Sequence, residues 1–437
     1  MKIFSRRVTL ALTTCLFLPP LEGATWAPQA RAVPSAAIVP ASERPDVSEG
    51  SHVEIQVGPR YHLQGPVPLP STVAEDDGLA SHALSAVVMD DATGKVLLEK
   101  NAHEKLPMAS ITKIMTLLLV MEAVDDGKLK LTDLVKTSEH AASMGGSQIF
   151  LETGETMSVQ DMIKGIAIAS ANDACVALAE HLTGSEAAFV NRMNQRAAQL
   201  GMDDTHFANC NGLPQANHYS SAHDIALMSR ALLKHEEITQ WTKLYQDYLR
   251  KDTAHPLWLV NTNKLVRFYD GVDGLKTGYT TEAKYCLSAT AKRGDFRVIA
   301  VVMGEPKPTV RNAEVSQMLN WTFSQYRSKV LYKEGQTVGE TRVAHGVPER
   351  LAVMTGDTVG VIHELGKNPV YQTKLQMFHL TAPVRPNQRV GTLQVFDGNN
   401  LVAEVALLAR TQVNRAGFFA SVGRTIRDMV TFGRGRS

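Results

Sequence analysis

Paired cysteines are what this sequence lacks first. It holds four cysteines in 437 residues, and Cys15 falls in an amino-terminal apolar stretch. That leaves Cys175, Cys210 and Cys286, an odd set that cannot form a fully paired disulfide framework. Stability must come from burial instead. The three are scattered without a CxxC spacing or histidine partners, so no metal site is expected, and nothing calls for a cofactor. Net charge is as scarce, +1 over the whole chain. Phosphate recognition needs a large local excess of Lys and Arg, so no nucleic acid is expected as partner. Long apolar runs are missing too: the run at 8–18 is too short to span a bilayer. No repeat of fixed period is visible.

The two ends carry the only basic clusters. Lys2, Arg6 and Arg7 precede the apolar run, Pro19 and Pro20 break it, and small-residue cleavage options end at Ala32. Residues 1–32 therefore read as an export signal. Ser5-Arg6-Arg7 hints at twin-arginine export, but Thr9 stands where that pattern prefers Phe, which favours the general secretory route. Residues 33–80, rich in Pro, Ala and Ser, read as an extended lead-in.

Between 81 and 330 strands come first and last with helices between. Ala86 to Met89 and Val96 to Leu98 flank Asp91-Ala92-Thr93-Gly94, a hairpin signal. Ile111, Ile114, Met115, Leu118, Leu119 and Met121 suit a nearly buried helix over 111–124, closed by Asp125-Asp126-Gly127. Ser158-Val159-Gln160-Asp161 resembles a capping box with Asp in place of Glu. Further helices are expected over 171–182, 189–200, 222–233 and 314–326, and strands over 272–277, 285–291 and 296–303. This order predicts an α+β fold, an antiparallel sheet packed by helices. Short apolar stretches separated by Gly, Pro, Asn and Asp predict a second, all-β domain over 331–412. In the tail, 413–437, Phe418, Phe419, Val422, Ile426, Met429 and Val430 recur at helical spacing among Arg415, Arg424, Arg427, Arg434 and Arg436. That pattern predicts an amphipathic helix lying on an anionic membrane surface.

Chemistry concentrates at three places. Ser110 and Lys113 are three residues apart, so on a helix they share a face, and a lysine held neutral can take the proton of a serine hydroxyl. A chain of this length holds about one or two such pairs by chance, so the pair alone carries little. Ser170-Ala171-Asn172 lies between two apolar helices, where serine can relay a proton and asparagine can hold an amide. Lys276-Thr277-Gly278 ends a predicted strand; glycine lets a substrate backbone lie close, threonine donates to a carboxylate and lysine supplies positive charge.

Three weak signals in this order multiply into a strong one. The chain here resembles the low-molecular-mass, serine-type D-alanyl-D-alanine carboxypeptidases of the penicillin-binding proteins. The resemblance spans about 80–410, with Leu200-Gly201-Met202, Asn211-Gly212-Leu213 and Ala300 to Gly304 adding to it. It implies a penicillin-binding/β-lactamase-like catalytic domain and an exported enzyme on the periplasmic face of the bacterial inner membrane. It also implies that Ser110 forms an acyl-enzyme, that Lys113 accepts its proton, and that Ser170 and Asn172 complete the relay and hold the substrate amide. Lys276, Thr277, Gly278 and Tyr279 would line the substrate site, the N–H groups of Ser110 and Tyr279 forming the oxyanion hole, and Arg311 would help bind a terminal carboxylate. Peptidoglycan stem peptides are the implied substrates and β-lactams the implied covalent inhibitors. Two positions depart from the pattern: Lys284 stands where glycine is usual, and Cys210 where proline is common.

Competing readings differ in testable ways. A class A β-lactamase needs a Glu-x-x-x-Asn element between the second and third motifs, and none of Glu180, Glu186, Glu236 and Glu237 has Asn four residues later. A DD-endopeptidase cutting cross-links would use the same site on a longer substrate. A non-catalytic wall-binding protein is disfavoured by the retention of both Ser110 and Lys113. Lys113 is expected to lose its proton readily because Lys276 lies near it.

Overall fold

The computed structural model describes residues 78–417. The expected signal, nearly all of the lead-in and the tail from Phe418 onward lie outside the described residues. Within them, an antiparallel five-stranded sheet runs in the order Val96–Lys100, Ser85–Asp90, Phe296–Glu305, Lys284–Arg293 and Val272–Thr280. The first two strands and the last three are thus brought together across the 171 residues from 101 to 271. Because the inner strands are buried on both faces, they read as near-continuous apolar runs; Val298 to Met303 are all fully buried.

One sheet face packs on the helix Pro308–Gln325 through Val315, Met318, Leu319 and Phe323, with Leu97, Leu287 and Val298 from the strands. Ala80, the end of the expected lead-in, is already fully buried in this layer, so packing begins before residue 81. The other face and the inserted helices form the larger core, centred on Lys113–Asp125. That helix is buried nearly all round, since Ile114, Met115, Leu117, Leu118 and Val120 point in every direction and none reaches solvent. Cys175, Cys210 and Cys286 are free thiols, each fully buried.

The all-β part starts earlier and ends later than the sequence predicts. Tyr326, read as the end of a helix, opens the strand Tyr326–Tyr332 paired with Val359–Glu364. Asn414–Arg415, read as the start of the tail helix, pairs antiparallel with Gly346–Val347. Tyr326 satisfies either period at the first junction, whereas Asn414 and Arg415 at the second are polar and give no strand signal of their own. A six-stranded sheet, Tyr371–Met377, Arg389–Asp397, Asn400–Ala409, Arg350–Thr355, Thr337–Ala344 and Leu380–Thr381, wraps a separate core of Val343, Leu351, Val353, Leu393, Val395 and Leu407. The two parts meet where Lys234 bonds Glu334 and Asp357, each at 2.9 Å.

Candidate active site

Ser110 sits in a short 3-10 turn, Ala109–Thr112, that runs into the buried helix Lys113–Asp125. The spacing of three places Lys113 Nζ 2.9 Å from Ser110 Oγ. The same amine donates to Asn172 Oδ1 at 2.7 Å and makes a short bond to the Asn211 carbonyl. Asn172 is oriented by its own amide, which donates to the Gly145 carbonyl at 2.7 Å, so its oxygen faces the lysine. Two of the three groups around Nζ can only accept, and Ser110 is the one that can also donate. Once neutral, the amine keeps two N–H bonds for Asn172 and Asn211 and turns its lone pair to the Ser110 hydroxyl.

Burial favours that neutral form. Lys113 is fully buried, and burial lowers its pKa against the opposing pull of Cys175, Cys210 and Asp173. The sequence reading assigned this effect to the charge of Lys276, and burial is the larger cause. The charge interaction is visible instead on Lys276, whose pKa is pushed well below the usual value by burial and then by Lys113.

The helix Val159–Lys164 is capped as expected, Ser158 Oγ accepting from the Asp161 N–H at 3.1 Å. It does not run on as a regular helix. Gly165–Ala169 forms a π turn that ends at Ser170, held in the left-handed region at φ 65°. Asn172 then opens the helix Asn172–Thr183, and Asp173 beside it accepts the N–H groups of Ile149, Leu151 and Ala174, tying the loop at 145–151 to this helix start. Ser170 is buried two residues from Asn172, but its hydroxyl makes none of the hydrogen bonds that join Ser110, Lys113 and Asn172.

Val272–Thr280 is an edge strand, paired on one side with Lys284–Arg293. Gly278 lets it approach the turn that carries Ser110: a Cβ there would stand 2.8 Å from the Met108 carbonyl oxygen and 3.2 Å from the Ala109 Cβ. Lys276 is buried and donates to the Thr277 carbonyl at 2.8 Å, and Thr277 Oγ1 donates to Thr262 Oγ1 at 2.7 Å. Tyr279 is 55% exposed and stacks on Tyr285 with ring centroids 4.4 Å apart, which places it at the rim. Arg311 lies in the first turn of Pro308–Gln325 and is only 5% exposed, bonding Asn312 Oδ1 through Nε and Nη2. Lys113, Lys276 and Arg311 are thus buried basic groups, none of them in an ion pair among the described residues, and any charge they carry there lacks a protein counter-ion. Such a group is costly unless an anion completes it, which suits the site to a carboxylate ligand.

Sequence reasoning missed the Asn211 carbonyl, Thr262 and the pairing of Thr112 with His218. A backbone carbonyl has no letter of its own, and threonine or histidine far from the motifs gives no spacing signal. The departure at Cys210 has a local explanation: its N–H donates to Glu186 Oε1 at 3.1 Å, a bond proline cannot make.

Residues 71–307 match the family model described as D-alanyl-D-alanine carboxypeptidase, and 326–415 match that of the penicillin-binding protein 5 C-terminal domain. The D-alanyl-D-alanine carboxypeptidase DacF of Bacillus subtilis (strain 168) is 49% identical over 370 residues, 83% of this chain and 95% of that protein. DacC of Escherichia coli (strain K12), with the same description, is 35% identical over 77% of this chain and 85% of its own length. Among solved structures, penicillin binding protein 5 from Haemophilus influenzae superposes with a TM-score of 0.61 at 28% identity, covering 80% of this chain and all of that one.

Proposed function

Since the chain belongs to the D-alanyl-D-alanine carboxypeptidase family and is a serine hydrolase of the penicillin-binding type, we propose that Ser110 is its nucleophile and Lys113 the base that activates it. The observation that carries this is the Lys113 amine, buried and bonded to two obligate acceptors, with Ser110 as its remaining partner. The neutral amine takes the Ser110 proton as the serine oxygen attacks the carbonyl of the penultimate D-alanine. The N–H groups of Ser110 and Tyr279 receive the negative charge that builds on that oxygen. The amine of the terminal D-alanine leaves with a proton, passed from Lys113 through Ser170, and a water molecule then hydrolyses the Ser110 ester. The substrate backbone lies along the free edge of Val272–Thr280, its terminal carboxylate held by Thr277, Lys276 and Arg311. Asn172 holds the substrate amide as well as the base.

The substrate in this reading is the peptidoglycan stem pentapeptide, and β-lactams acylate the same serine. Export by the 1–32 signal and a periplasmic location at the inner membrane fit such a substrate. The arginine-rich tail beyond Gly417, with Phe418, Phe419, Ile426 and Met429 at helical spacing, supports peripheral attachment to an anionic bilayer. Peptide mapping by mass after penicillin treatment tests the assignment: one adduct on Ser110, and none in Ser110→Ala, is expected, and an adduct elsewhere overturns it. Deleting the tail is expected to release the protein from the membrane fraction, and unchanged fractionation rules the anchor out.

A further inference from the structure

His218 is buried behind the nucleophile turn, and its two ring nitrogens have different partners. Nδ1 accepts the N–H of Ala208 at 3.0 Å, which leaves the ring proton on Nε2, 2.7 Å from Thr112 Oγ1. The Thr112 hydroxyl in turn donates to the Ala109 carbonyl at 2.8 Å. Donor follows acceptor in one direction, from Ala208 through the imidazole and the hydroxyl to a single carbonyl oxygen. The Ala109 carbonyl and the Ser110 N–H belong to one planar peptide, so fixing the first fixes the direction of the second. Ala109 also holds φ 48°, a left-handed conformation that an alanine keeps only where its surroundings impose it.

We propose that His218 is a positioning residue for acylation: through Thr112 it orients the peptide between Ala109 and Ser110, and with it the Ser110 N–H that receives charge from the substrate carbonyl. The role requires a neutral ring. Burial is the main cause that lowers the imidazole pKa to about 4. Tyr219 and Glu282 line the cleft that His218 borders, and Phe207 meets its ring edge-on at 6.1 Å. The inference rests on Ser110 being the nucleophile.

The test compares the full chain with His218→Phe, His218→Gln, Thr112→Val and Thr112→Ser. Turnover of a D-alanyl-D-alanine peptide and the rate of acylation by a chromogenic β-lactam are measured, with thermal unfolding alongside. His218→Phe and Thr112→Val are expected to lower kcat and the acylation rate about 10- to 100-fold with KM changed less than about threefold, because the alignment acts on charge developed in the transition state. His218→Gln presents an N–H at similar reach and Thr112→Ser keeps the hydroxyl, so both are expected to recover most of the rate. A His218→Phe variant that melts like the wild type and acylates at its rate overturns the proposal, as does a Gln variant as slow as the Phe variant. Absence of a Ser110 adduct in the wild type would overturn the nucleophile assignment along with it, so the two failures read differently.

Discussion

Lys113 Nζ stands 2.9 Å from Ser110 Oγ, and the other acceptors around it, Asn172 Oδ1 and the Asn211 carbonyl, have no proton to give back. The amine must lose a proton before it can accept one from the serine. Because burial lowers the Lys113 pKa below the usual lysine value, the reactive neutral fraction grows as pH rises through that lowered value. Acylation by a β-lactam should therefore accelerate with pH up to that lowered value and level off above it, at a lower pH than an ordinary lysine would give. Lys113→Ala should cost about 10²- to 10⁴-fold and abolish this pH dependence. A rate flat in pH for the wild type would count against Lys113 as base.

Gly278 sets how closely the edge strand lies to the turn that carries Ser110. In Gly278→Ala the new methyl meets the Met108 carbonyl and the Ala109 Cβ, neither of which is the end of a flexible side chain. Stability should fall by about 1–3 kcal/mol, while kcat/KM falls about 100-fold because substrate and serine separate. Equal, small losses in both measurements would show that the gap is not critical.

Lys284, at the start of Lys284–Arg293, holds φ 54°. A side chain there pays a steric cost that glycine avoids, partly offset by the greater freedom of glycine in the unfolded chain. Lys284→Gly should stabilise the protein by about 0.5–1 kcal/mol without altering turnover. Loss of stability in denaturant titrations would refute this account of the departure from the family pattern.

Glu305 is fully buried beside Glu314, which also accepts from the His82 N–H at 2.9 Å. Burial, helped by hydrogen bonding to Glu314, pushes Glu305 up to about 8. Burial opposes ionisation of Glu314, yet bonds from Glu305 and His82 bring it down to about 2. A raised carboxyl pKa means the folded state binds the extra proton between about 4.5 and 8, so stability from Glu305 is full at the acid end and lost as pH climbs through that window. Glu305→Gln cannot titrate. The wild type should lose stability relative to this variant between pH 5 and 8, by up to about 1.4 kcal/mol per pH unit. Parallel denaturation midpoints over that range would refute the shared proton.

The catalytic fold was legible because its strands and helices announce themselves by composition. Val298 to Met303 is an unbroken apolar run, and Ala222–Leu233 carries a serine cap and a clean helical face. The hairpin Gln246–Leu249 with Leu257–Val260 was not legible, since Gln246, Asp247 and Tyr248 give no alternation strong enough to mark a strand. Ser110, Lys113, Asn172, Lys276 and Thr277 could be named because each lies in a short motif of fixed spacing. The π turn before Ser170 could not, because Gly165 to Ala169 is equally good for an ordinary helix. Nor could the burial of Arg311, which its position at a helix start argued against.

The sealed thiols give the protein a native-state fingerprint. Burial drives Cys175 up to about 12 and Cys286 up to about 11, and raises Cys210 well above the usual thiol value. None is then a thiolate at neutral pH or open to a reagent. Alkylation at these three positions must wait for the surrounding core to open, so the rate of their labelling clocks unfolding of the catalytic core with no engineered cysteine.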